Sequence, residues 1–250
     1  MRWIENLETS TKFLADPSRC VHIGDRECDI YELFCKAAEM GTHFLVRVTA
    51  GRGRRGRLAG DGDHTVEDEM EKSPVQGIHQ IEVRDAKGKV EEVALEIKYH
   101  TLQVMPPIGK QKHYPPLTLT VIHAQEHEAP KDRERIDWRL FTDLSVESLE
   151  SAIEKLQWYA QRWKIETFHK ILKSGCKAEE SKLRTAERLA NLISMFCVIG
   201  WRIFWMTMLN RSTQNAPAKT ALTELEMRLL DALVKTAPSV SQNSSLGRPI

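Results

Sequence analysis

Residues 20–49 read CVHIGDRECDIYELFCKAAEMGTHFLVRVT. The opening CVHIGD is a short β pattern that ends at Asp25. Residues 29–40 place apolar side chains at helical spacing, with Asp29 positioned to cap the start and Gly41 to stop the end. HFLVRVT, residues 43–49, is a second β pattern. Strand, helix, strand is the grammar of an α/β sheet. Ligand sites in such sheets gather at the carboxyl ends of strands, which makes Asp25 a candidate functional acid. A turn or capping role fits the same position equally well.

Upstream, residues 2–15 form a helical pattern with Trp3, Ile4, Leu7 and Leu14 on one face, ended by Asp16-Pro17-Ser18. Downstream the character changes. A basic loop with Arg52, Arg54, Arg55 and Arg57 precedes an acidic run at 61–71. That basic loop reads either as a DNA contact or as a solvated segment paired with the acids after it. Val93, Leu95, Ile97 and Tyr99 then alternate with polar residues, the period-two mark of a sheet with one wet face. LTLTVIH (117–123) and WRLFT (138–142) are further strands, and together they predict an antiparallel insertion. A long helix is predicted over 146–173, capped by Ser145 with Glu147 in its first turn, and two more over 182–210 and 221–235. The expected organisation is a core at 1–49, a β insertion at 50–142, core helices at 143–210, a C-terminal helix at 211–236 and a disordered tail at 237–250.

The composition is that of a folded chain. Of 250 residues 41% are hydrophobic, which excludes disorder over most of the length. The net charge of +1 hides a local excess. Between Lys155 and Arg188 there are nine Lys or Arg against four Glu, so a nucleic-acid partner is not excluded. Five cysteines without a CxxC pair read as free thiols in a reducing, cytoplasmic compartment. The apolar stretch 189–209 is long enough for a bilayer, but Asn191, Ser194 and Arg202 favour a buried core helix, and no membrane partner is expected. His123, Glu126 and His127 fit an inverted zinc-protease spacing. They follow a β pattern, however, so a strand end is the better reading than a zinc site.

Tyr159, Arg162, Glu166, Lys170 and Lys173 recur at intervals of three or four. On one continuous helix they would share an arc of about 80°. A carboxylate set among cations suits a phosphate backbone held beside Mg²⁺. A solvated face with pairs such as Glu166–Lys170 is the competing reading.

Two motifs together carry a family resemblance. Gly24-Asp25-Arg26-Glu27-Cys28-Asp29-Ile30-Tyr31 resembles the DREAD-type box of bacterial insertion-sequence family-four transposases. Tyr159, Arg162, Glu166 and Lys173 match that family's Y-R-E-K signature in spacing, about 130 residues further on. The resemblance covers roughly residues 1–235 and implies an RNase H-like core, here partial, with an antiparallel β insertion and C-terminal helices. It implies a DDE centre in which Asp25 is the second acid and Glu166 the third, together holding Mg²⁺ (Mn²⁺ as a substitute). The implied chemistry is nicking at transposon ends and strand transfer into target DNA. Tyr159, Arg162 and Lys173 would grip phosphates, with Lys170 and Arg26 as further DNA contacts. Trp138 matches the tryptophan that stacks on a flipped base. The implied partner is double-stranded DNA, with a dimer for the full-length protein acting on the bacterial nucleoid.

There are departures from the family pattern. Cys28 stands where the family usually has Ala. Glu5, Glu8 and Asp16 are the only acids before Asp25, and none lies in the D-T-T-like context of the first catalytic Asp. The expectation is therefore a truncated or split copy, inactive alone, lacking three core strands and a C-terminal dimer region. A non-catalytic DNA-binding or transposase-interacting remnant is the alternative.

Overall fold

A computed structural model describes residues 2–49, 56–84, 90–130, 133–213 and 217–236. Arg52, Arg54 and Arg55 of the basic loop and the tail 237–250 lie outside the described residues. The chain divides into two compact units, at residues 1–162 and 163–250.

The first unit is built on one eight-stranded sheet. Helix α1 (Arg2–Lys12) leads into β1 (Val21–Gly24), α2 (Tyr31–Met40) and β2 (His43–Arg47). The strand-helix-strand reading holds: β1 and β2 are parallel, in the register Val21↔His43 to Gly24↔Val46. Gly41 ends α2 in the left-handed region at φ 66°, where a side chain would be strained. Two short strands, β3 (Leu58–Ala59) and β4 (His64–Thr65), precede α3 (Val66–Lys72), which starts with a reciprocal Thr65–Asp68 capping box. Then come β5 (Gly77–Arg84), β6 (Val90–Val104), β7 (Leu117–Glu126) and β8 (Asp137–Thr142). The order is β1-β2-β8-β7-β6-β3-β4, with β5 also on β6. Every pairing except β1–β2 is antiparallel. β8 pairs directly with β2, so the insertion strands continue the sheet of the first 49 residues.

Alternation along these strands sorts side chains onto two faces. Phe44, Val46, Val104, Leu119, Val121 and Phe141 fill one core with Leu7 of α1, Phe34 of α2 and Met70 of α3. Leu45, Leu95, Ile97, Ile122 and Leu140 fill the other. There Ala152, Leu156 and Tyr159 of α4 (Leu149–Ala160) cover them. Each fully buried Leu, Ile or Phe contributes about 1.5–3 kcal/mol of apolar transfer.

The second unit is helical: α5 (Trp163–Lys170), a π turn at Ile171–Gly175, α6 (Ala186–Ser212) and α7 (Glu224–Thr236). Gly200 of α6 lets another part of the unit approach closely, since a Cβ there would lie 2.9 Å from Leu172 Cδ2 and 3.5 Å from Phe168. Arg202 of α6 clamps Glu226 of α7 at 2.5 and 3.0 Å.

Four expectations need correction. The helix predicted over 146–173 is interrupted at Gln161-Arg162, where backbone N–H groups reach back three residues, to Trp158 and Tyr159. Its cap is Ser148, which accepts from Ser151 N, rather than Ser145. Asp29 does not cap α2, because its carboxylate is engaged by Thr49 N and by Arg57. The apolar stretch in α6 is not a buried core helix: only Gly200 and Phe204 are buried there. Val198, Met195 and Trp201 are exposed. By length and composition alone this helix could cross a membrane.

Candidate active site

Asp25 follows the last residue of β1, in extended backbone. Its Oδ1 accepts from Glu27 N at 2.9 Å and starts a one-turn 3₁₀ helix at Arg26–Cys28. The capping reading of Asp25 holds, and its carboxylate lies at the carboxyl end of β1. The turn folds back tightly on the strand. A Cβ on Gly24 would lie 2.6 Å from Cys28 Cβ and 2.7 Å from its sulfur, which requires glycine there. Cys28 is buried beneath the turn. Burial first, and the Asp25 charge second, push its thiol up to about 11, so it stays neutral.

Arg162 reaches this acid. Its Nη1 is 3.7 Å from Asp25 Oδ2, an ion pair between the two motifs the sequence singled out. Tyr159, one helical turn earlier, is 5% exposed. Its ring meets Trp138 edge-on with centroids 5.5 Å apart. Tyr159 is thus the support on which the half-buried Trp138 rests. Arg26 and Arg57 line a cavity of about 410 Å³, floored by Met105, Pro106, Pro107 and Phe141. Arg57 is committed inward: it donates to the Asp29 side chain and backbone carbonyl and lies 5.4 Å over the Phe34 ring.

Glu166, Lys170 and Lys173 belong to the second unit. Glu166 lies in the first turn of α5 and Lys170 in its last. Lys173 is in the π turn, with its ammonium 3.2 Å from Glu179. The five residues are therefore spread over α4, the turn that follows it, α5 and the π turn rather than one continuous helix. Among the described residues no three metal-ligating side chains gather. Carboxylate oxygens are the hard donors that Mg²⁺ prefers, so the chemistry of Asp25, and separately that of Glu166, fits the ion.

The zinc-protease spacing has a structural explanation. His123 pairs with Asp137 at 2.9 Å and His127 with Glu96 at 2.6 Å. Glu126 is gripped by Arg133 at 2.6 and 2.8 Å. His123 and Glu126 sit on β7 and His127 just beyond its end, and alternation turns Glu126 away from His123. Sequence reasoning passed over Arg47, the cation that closes the apolar strand HFLVR.

The family model for the transposase DDE domain matches residues 8–199. That span includes Asp25, Trp138, Tyr159, Arg162, Glu166 and both lysines. The chain accordingly belongs to the DDE-domain transposases, enzymes of DNA transposition.

Proposed function

We propose that this chain carries part of the metal-dependent active centre of an insertion-sequence family-four transposase, with an RNase H-like core. The observation that carries the reading is the Asp25–Arg162 ion pair, which joins the DREAD-type box to the Y-R-E-K motif. Asp25 and Glu166 would hold Mg²⁺, or Mn²⁺ in its place. The bound ion supplies Lewis-acid activation of an attacking water or 3′-hydroxyl and of the leaving oxygen. Arg162 orients the Asp25 carboxylate through that ion pair. Lys170, Lys173 and Arg26 neutralise phosphates of transposon-end or target duplex. Trp138, backed by Tyr159, offers its face to an unstacked base. The enzyme would act as a dimer on DNA in the bacterial cytoplasm.

A second reading is that this chain serves as a non-catalytic DNA-binding partner of an intact transposase. A nicking assay on a hairpin-tipped transposon-end duplex with Mg²⁺ separates the two. Nicking lost in Glu166→Ala supports the first. DNA binding without nicking, weakening steeply with salt, supports the second. No binding and no nicking overturns both.

A further inference from the structure

We propose that Arg47 is a DNA-phosphate-binding residue, holding the phosphate between the nucleotide at Asp25 and the base at Trp138. The inference rests on the reading of Asp25 and Trp138 given above. Its own support comes from the sheet. The β1–β2 register ends at Gly24↔Val46, so the next step sets Asp25 level with Arg47 on adjacent strands. On the other side Arg47 pairs with Leu140. Trp138 stands two residues before Leu140 on the same face of β8. Arg47 shares that face, since Leu45 two residues earlier packs in the same core as Leu140. The guanidinium therefore arises between the candidate metal acid and the candidate stacking platform.

The hydrogen bonding of Arg47 is incomplete. Nη2 donates to the Asp137 backbone carbonyl at 3.0 Å, which draws the side chain along β8 past the Trp138 position. Nε is buried without a hydrogen-bond partner. No carboxylate among the described residues pairs with this guanidinium. Asp25 faces Arg162, and Asp137 turns its own carboxylate to His123 and Arg139. An unpaired arginine at the edge of an apolar core is costly to keep unless an anion completes it. The planar fork suits a phosphate oxygen pair, and the adjoining acid and indole favour a nucleic-acid phosphate over a free one.

The test is the salt dependence of binding to a hairpin-tipped duplex by the full chain, with thermal melting as the folding control. Arg47→Gln should weaken binding severalfold at low salt and make the slope of log K against log salt shallower by about 0.9, one phosphate contact. Arg47→Lys keeps the charge, so it should keep the slope. The loss in Arg47→Gln should vanish on a duplex carrying a neutral methylphosphonate at the phosphate beside the unpaired base. A wild-type slope in Arg47→Gln, or a loss that persists on the methylphosphonate duplex, overturns the proposal and leaves the reading of Asp25 and Trp138 standing. If Arg47→Gln does not fold, Arg47→Lys decides, because it must lose affinity on the natural duplex and not on the methylphosphonate one. Absence of DNA binding by the unsubstituted chain overturns this inference together with the proposed function.

Discussion

The two units of the chain treat apolar residues in opposite ways. In residues 2–162 the sheet is covered on both faces, and Phe34, Leu45, Ile97 and Leu140 are wholly out of water. In residues 163–236 the only buried described residues are Gly200 and Phe204. Yet α6 is among the most apolar segments of the chain. The difference is geometric. A strand in a covered sheet has two faces and two layers to meet them. A helix that is apolar around most of its circumference needs neighbours on several sides, and in its unit α6 leaves Val198, Met195 and Trp201 exposed. Hydrophobic content therefore does not by itself measure core.

Stability measurements should reproduce this contrast. The largest effect is expected at Phe34, which stacks on Phe44 with centroids 4.5 Å apart and an interplanar angle of 7°. Phe34→Ala removes a wholly enclosed ring and should cost about 3–5 kcal/mol in urea unfolding. A cost below about 1 kcal/mol would mean the two-layer core is not the cooperative unit, and the comparison would fail at its stronger end.

Much of the first unit was legible in the sequence because period two survives in it. β6 carries Val93, Leu95 and Ile97 in strict alternation, and the structure buries all three. Gly41 was legible because only a left-handed backbone stops α2 there. What could not be read depended on partners distant in sequence. Asp29 has the chemistry of a cap, but Arg57 and Thr49 claim it from other elements. Ser145 and Ser148 are chemically equal candidates, and only the backbone path selects the second. The helix break at Gln161-Arg162 has no Gly or Pro to announce it. At the candidate site both motifs were visible, and so was the place of Asp25 at the end of β1. The burial of Tyr159 was not legible, because it depends on packing against Trp138 and the strands beneath α4.

A middle-sized effect is expected at a charge inside the first unit. Glu126 is 5% exposed. It accepts two hydrogen bonds from Arg133 and one from Ile136 N at 3.0 Å. The Arg133 contact is the largest influence and holds its carboxyl below the usual range despite burial. A carboxyl lowered on folding adds stability above its unfolded value, near 4.3. That stability drains away as pH falls through the lower folded value. Glu126→Gln should therefore destabilise the protein at pH 7 by about 1–3 kcal/mol and by much less near pH 2. An equal cost at both pH values would show that shape rather than charge matters at this corner of the sheet.

The smallest effect sharpens the comparison from the other end, inside α6 itself. Met195 is 63% exposed, while Phe204, less than three turns along, is 6% exposed and meets Phe168 edge-on at 6.4 Å. Gln has nearly the length and helix propensity of Met, so Met195→Gln changes hydration and little else. It should move the unfolding free energy by less than about 0.5 kcal/mol. Phe204→Ala, on the same helix, should cost several times as much, because it removes the ring that Phe168 and Trp201 pack against. The pair isolates burial from composition, since both residues are large and apolar on one element. If Met195→Gln proved as costly as Phe204→Ala, the outward side of α6 would be covered in solution, and the second unit would have a core comparable to that of the first.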